Sequence, residues 1–306
     1  MTTPMISNNW SRFVLPLVRK EWIEKQAAIV SPAEQFYGTE ASKAAAEYSQ
    51  GVGSFGVIEE YNASSDGDNA IAYDSFSALY EKTFTHKEYA KGVSIERKLW
   101  DDDQLGTIRR KASGLGAAFG TTRATHASSV FNNAFSGSHV GGDSISLCNA
   151  SHPTNIKNEA TYSNAGSTPL SEAAITETLL AGHALKDDRG NPMPAIYDVL
   201  YVPIALQASA YEFAKELAPA QTTAQSQFVS SRGLSVVVDP YLTDANNWFM
   251  LDSVQAKMHL LWFNRVMPEI NTDPASDFNL MARFAGYMRY SFGWDDARWV
   301  FGHAVA

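Results

Sequence analysis

Two periodicities organise the chain. From Leu105, the positions Leu105, Ile108, Ala112, Leu115, Phe119, Thr122, His126 and Val130 recur at spacings of three and four, which predicts one long amphipathic helix. Asp101, Asp102 and Asp103 stand at its start, where carboxylates complement the helix dipole and offer N-caps. Gly106, Gly114, Gly116 and Gly120 all weaken helix propensity, so close packing against another backbone is the expected reason for them. From Phe278 the period becomes two: Phe278, Leu280, Ala282, Phe284, Met288, Tyr290, Phe292 and Trp294 alternate with residues such as Asn279, Arg283, Arg289 and Ser291. This predicts a long strand, an Asp295–Asp296 turn and a short final strand at Trp299–Phe301.

Alternation also runs through residues 92–100, with Val93, Ile95, Arg97 and Leu99 on one face and Ser94, Glu96, Lys98 and Trp100 on the other. The cluster NASSDGDN at 62–69 supplies turn chemistry between segments rich in Val, Ile, Tyr and Phe, so residues 51–100 read as a long polar hairpin. Upstream, Trp10–Ala28 and the alanine-rich 41–48 favour helix, separated by Ser31-Pro32 and Gly38. Lacking a long apolar stripe, residues 1–50 are expected to form an extended arm that packs on a partner subunit. Residues 136–169 are rich in Gly, Ser and Asn, and a helix is expected from Thr168-Pro169 to about Lys186. A strand at Tyr197–Ile204, a helix near Leu206–Leu217 and a strand at Leu234–Val238 make the middle of the chain mixed α/β.

Composition narrows the function classes. The 306 residues carry 24 basic and 33 acidic side chains, a net charge of -9 that argues against general attraction to nucleic acid, although a local basic face is compatible with it. The length suggests about two domains. No apolar run reaches membrane-spanning length, and the N-terminal apolar patch, broken by Pro16, is too short for a secretory leader. Cys148 is the single cysteine, which excludes a disulfide framework within the chain.

Candidate chemistry is sparse. Gly51, Gly53 and Gly56 satisfy G-x-G-x-x-G but lead into the strand-like VIEEY, so a packing or hinge role is favoured over nucleotide binding. Cys148 and His152 are four apart, but a lone cysteine is more often a small buried apolar residue than a nucleophile. His86, His126, His139, His183, His259 and His303 show no metal-ligand spacing, and Asp66-Gly67-Asp68 lacks the remaining ligands of a calcium loop. No catalytic, cofactor or metal residue is therefore expected.

Three segments together resemble the major capsid proteins of tailed bacteriophages, the Hong Kong 97 type, with the Mu-like head subunits as a near comparison. They are KEYAKGVSIERKLWDDDQLG at 87–106; VFNNAF at 130–135 with GGDSISLCNASHPT at 141–154; and LYVPIALQASAYEFAKE with LSVVVDPYLTDANNWFMLDS at 200–216 and 234–253. The resemblance implies an α+β fold with an N-terminal arm at 1–50, an E-loop hairpin at 51–100 and a peripheral domain with a spine helix at 101–169. An axial domain at 170–260 and return strands to the peripheral domain at 261–306 complete it. It implies a structural protein without cofactor whose copies form hexamers and pentamers of an icosahedral shell around double-stranded DNA. The implied partners are scaffolding, portal and decoration proteins and non-specifically packaged DNA, with no membrane. The implied location is the virion, and the host cytoplasm during assembly. Phe84, Tyr89, Arg97 and Trp100 are the expected inter-subunit contacts. Two alternatives stand beside this reading: an encapsulin-type compartment, and a monomeric α/β hydrolase using Cys148 or a serine.

Overall fold

The computed structural model describes residues 8–54, 78–96, 98, 105–156, 160–214, 233–273 and 281–306. The turn at 62–69, the acidic triplet at 101–103 and residues 278–280 lie outside them, as do Arg97, Leu99 and Trp100.

The long helix is present as α2, Leu105–Asn132. Ile108, Ala112, Leu115, Phe119 and Val130 are buried along the expected stripe. At ~1.5 Å per residue it is about 40 Å long, enough to touch two sheets. The first is four-stranded, in the order β1 (Gly38–Ala41), β11 (Leu260–Asp273), β12 (Met281–Trp294), β4 (Lys87–Glu96). Along β12 the even positions Ala282, Phe284, Met288 and Tyr290 are buried, as their period requires. Gly286 belongs to the same row, and a Cβ there would lie 2.5 Å from the Phe119 ring, so this glycine lets α2 approach the sheet.

The second sheet has the order β7 (Ala165–Gly166), β13 (Val300–His303), β10 (Trp248–Leu251), β8 (Val199–Pro203), β9 (Ser235–Asp239). Alternate residues of its central strands serve two cores. Val199, Tyr201, Phe249 and Leu251 join the core built on α2, where Phe131 lies 4.6 Å from Tyr201 and 5.5 Å from Phe249 between ring centroids. Leu200, Val202, Trp248 and Met250 turn the other way, into a core with Ile175 and Leu179 of α3 (Glu172–His183) and Ala210 of α4 (Gln207–Ala214). A strand buried on both faces needs an unbroken apolar run, which VLYV and WFML provide. The final strand thus sits inside this second sheet and does not extend the β11–β12 pair.

Three expectations for the N-terminal third are corrected. Helix α1 (Asn8–Ala28) is a long helix packed on α2 of its own chain and not an extended segment: Val18 and Trp22 are buried, and Trp22 meets Phe119 edge-on at 5.7 Å. Gly116 and Gly120 explain the closeness, since a Cβ would lie 2.5 Å from the Trp22 carbonyl oxygen and 2.9 Å from that of Gln26. Gly106 and Gly114 face open space. Secondly, the alanine-rich 41–48 is not helical, because β2 (Ala46–Val52) finds ladder partners along β3 (Ala78–Thr85), from Ala46↔Thr85 to Val52↔Ala78. Ser42 is meanwhile held by side-chain bonds to Glu47 and His86, which compete with a helical turn. Thirdly, the hairpin stem is therefore 46–52 with 78–85, while β4 pairs with β12 and belongs to the four-stranded sheet.

Candidate functional site

Among the described residues the β2–β3 ribbon pairs only with itself. Two-stranded ribbons are marginal in water, so what fixes its root matters. Phe84, expected to contact a neighbouring subunit, is 2% exposed and packs on Leu261 and Phe263 with a centroid distance of 5.2 Å to Phe263. It anchors the ribbon to its own sheet, because the β3–β4 corner turns it beneath β11.

A polar relay fixes that corner. His86 lies between Ser42 Oγ at 2.9 Å from Nε2 and Ser291 Oγ at 2.9 Å from Nδ1. Ser42 donates to Glu47 Oε1 at 2.5 Å, so it accepts from Nε2–H, and Nδ1 is left to accept from Ser291. Burial lowers the His86 pKa, Arg289 and Arg265 lower it further, and Glu47 opposes them. The neutral ring the relay requires is thus the favoured form.

Further along, the ribbon leans on an acidic rim. Ser49 Oγ donates to Asp295 at 2.7 Å, the Ser54 amide to Asp188 at 2.9 Å, and Lys82 Nζ to the Val140 carbonyl at 2.5 Å. Burial lowers the Lys82 pKa, while Asp143 opposes the shift. On the far side of Asp295, His259 Nδ1 lies 2.9 Å away. Burial would lower the pKa of His259, but the bond to Asp295 and the charge of Asp296 outweigh it and raise it.

These groups do not assemble into a nucleophilic site. Ser49 bonds the carboxylate and not the histidine, so it has no general base there. His152, in β5 (His152–Pro153), is fully buried, stacked on Tyr162 of β6 (Thr161–Tyr162), and directs Nδ1 to Asp143 at 2.7 Å. Cys148 is 2% exposed and burial pushes its thiol pKa up, the reverse of what activation needs. Gly51 lies in β2, not in a strand-to-helix turn. Among the described residues no group of three or more His, Cys, Asp or Glu side chains could hold a metal, and no helix is long and apolar enough to cross a membrane.

One buried carboxylate escaped the sequence reading. Asp239, at the end of β9, accepts from Ser128 Oγ of α2 at 2.5 Å, from Ser31 Oγ at 3.1 Å, from the Tyr201 hydroxyl, and from the Tyr241 amide at 2.8 Å. It ties the segment after α1, α2 and the second sheet together. Only the fold brings Ser31, Ser128 and Tyr201 to Asp239, so no local pattern marks the junction.

Tyr89 differs from Phe84. It is half-buried on the α2 side of β4, stacked on Tyr290 at 4.8 Å, and borders a groove of about 290 Å³ between β4 and α2.

Among the described residues, then, a long helix bridges two sheets, a two-stranded ribbon pairs with no other strand, and the histidines, Cys148 and Ser49 form no nucleophilic arrangement. Comparison with known proteins supplies the class. A family model described as "Phage capsid protein" matches residues 80–302, and the chain belongs to that family. Comparison with curated protein sequences gives no match. Among solved structures, the capsid of the cyanophage P-SCSP1u superposes with a TM-score of 0.58 at 11% identity, covering 89% of this chain and 87% of that one. The procapsid of bacteriophage JBD30 gives 0.54 at 14% identity, covering 99% and 76%. A virus-like particle from Pyrococcus furiosus gives 0.52 at 10% identity, covering 94% and 97%. The fold is that of the Hong Kong 97-type phage major capsid proteins, and the chain is a structural capsid protein of the virion, built to assemble into a multimeric shell.

Proposed function

We propose that the chain is the major head subunit, forming hexamers and pentamers of an icosahedral shell that encloses double-stranded DNA. In this reading α2 is the spine helix, the four-stranded sheet lies in the peripheral domain and the five-stranded sheet in the axial domain. The β2–β3 ribbon with residues 55–77 is the E-loop. The observation that carries the reading is the ribbon: one face is held to its own chain through His86, Ser49 and Lys82, while Tyr48, Gln50, Glu81 and Thr83 on the other face are exposed. Such a stem gains stability by lying on another copy, and closed symmetric assembly supplies one. The acidic net charge suits a container that must release its DNA. Scaffolding, portal and decoration proteins are the further partners of this reading, and the host cytoplasm is where assembly takes place.

Electron microscopy of the full chain expressed alone and with its neighbouring head genes tests this. Closed shells with five- and six-fold capsomers support it. A monomer that stays unassembled under both conditions refutes it. Shells filled with a cargo enzyme instead of DNA in the native particle would favour a compartment.

A further inference from the structure

His86 is the single residue between β3, which ends at Thr85, and β4, which begins at Lys87. Ser42 directly follows β1, and its amide donates to the Asn264 carbonyl of β11 at 2.9 Å. Ser291 sits in β12 opposite Phe263 of β11. The relay among these three residues therefore joins, at one point, both places where the ribbon leaves the four-stranded sheet. All three are buried.

Every hydrogen in the relay has its place. Ser42 gives its one hydroxyl hydrogen to Glu47 and receives Nε2–H of His86, which leaves Nδ1 to take the one hydrogen of Ser291. Among the described residues Ser291 Oγ bonds no other group. A second proton on the imidazole would place an N–H against that hydroxyl, 2.9 Å away, and Ser291 would have to turn its hydrogen from its acceptor within a buried site. The surrounding charges resist the same proton on balance. Arg289 of β12 and Arg265 of β11 oppose it, and Glu47 of β2 favours it. Glu88 of β4 lies 3.7 Å from Arg289, while Lys43 and Lys87, next to Ser42 and His86 in the chain, are exposed.

We infer that the Ser42–His86–Ser291 relay is an acid-sensitive latch: a proton on His86 releases Ser291 and frees the root of the β2–β3 ribbon from the four-stranded sheet. A two-stranded ladder is marginal on its own, so the ribbon depends on this root. The latch acts within one chain and stands apart from the shell reading. Burial and the two arginines hold the closed ring below its ordinary pKa of 6.5, whereas in an opened root the ring titrates near that ordinary value. The latch is therefore fully closed above about pH 6.5 and weakens by about tenfold per pH unit below it, until the lowered value of the closed ring is reached.

Hydrogen exchange of the dilute, unassembled full chain between about pH 7.5 and 5, corrected for the intrinsic rate at each pH, tests this. Protection over residues 42–48 and 83–88 should fall with that slope, while β8 keeps its own. His86→Gln retains a donor and an acceptor but has no proton to gain, so its root protection should be flat across the range. Arg289→Gln removes an opposing cation, raises the pKa of the closed ring and should level off the loss at a higher pH. Flat root protection in the unaltered chain overturns the inference, as does an equal slope in His86→Gln. Where His86→Gln leaves the root open at neutral pH, Arg289→Gln decides: a smaller total loss supports the latch, and an unchanged one overturns it.

Discussion

Replacing Gly116 and Gly114 of α2 by alanine, one at a time, should change stability in opposite directions. Both changes remove a helical glycine, and alanine is favoured there by about 1 kcal/mol. At Gly114, which is exposed and has no atom within 4 Å of a built Cβ, that gain is unopposed, and Gly114→Ala should stabilise by up to about 1 kcal/mol. At Gly116 the new Cβ would lie 2.5 Å from the Trp22 carbonyl oxygen and 3.1 Å from its Cα. Backbone atoms of a packed helix cannot swing aside as a side-chain tip can, so α1 must move away from α2. That movement disturbs the contacts of Trp22 with Phe119 and of Val18 with the core. Overpacking of this kind costs about 1–3 kcal/mol, which exceeds the propensity gain and leaves Gly116→Ala destabilised by roughly 1–2 kcal/mol. Denaturant unfolding of the dilute subunit, followed by circular dichroism, measures both midpoints. Equal shifts in one direction would refute the close α1–α2 approach. A stabilised Gly116→Ala would refute the location of α1 itself.

Other expectations follow from single contacts. Burial pushes the His303 pKa down to about 4; its Nε2–H bonds Thr178 Oγ1, and its ring stacks on Trp248 at 4.0 Å. The unfolded chain takes up this proton near pH 6.5 and the folded one does so only near 4. Stability should therefore be full above about pH 6.5, fall by about 3 kcal/mol as the pH drops to 4, and level off below. His303→Phe should flatten that part of the pH–stability curve, and an unchanged slope would count against the assignment. Asp239→Ala would leave the buried Tyr201 hydroxyl without its acceptor and remove the shared partner of Ser128 and Ser31, and should cost about 3 kcal/mol by denaturant unfolding; a loss below about 1 kcal/mol contradicts the junction role. Joining Ser54 to Ala78 with a short glycine linker removes segment 55–77 but keeps β2, β3 and β4. The variant should keep the melting temperature of the dilute subunit and fail to close shells, and complete shells from it would show that the segment is dispensable. Cys148→Ala should leave shell formation intact, with at most a modest loss of stability, as judged by particle sizing; selective loss of a turnover activity would reopen the enzyme reading.

What the sequence determined by itself is periodic. The three-and-four spacing of α2, the period of two in β12 and in β4 through Ile95, and the apolar runs of β8 and β10 each carry their own geometry. Among the described residues, Ile108, Ala112, Leu115, Phe119 and Val130 of α2, Ala282, Phe284, Met288 and Tyr290 of β12 and Ile95 of β4 are buried as their periods require. The order of these elements also carried the family resemblance. The tertiary structure decided the matters for which no local pattern exists. Alanine-rich 41–48 has helical propensity, and it became strand only because β3 offered ladder partners and His86 with Glu47 claimed Ser42. Phe84 looked like a surface contact in a polar hairpin, until the β3–β4 corner turned it onto Phe263. Gly116 and Gly120 had a reason to be small, but the backbone that fills the space lies some ninety residues earlier in the chain. The Asp239 junction and the Ser42–His86–Ser291 relay gather residues whose partners lie as much as two hundred positions away. A hydrogen bond is decided by ångströms in space, and sequence spacing encodes such distances only within one helix or strand.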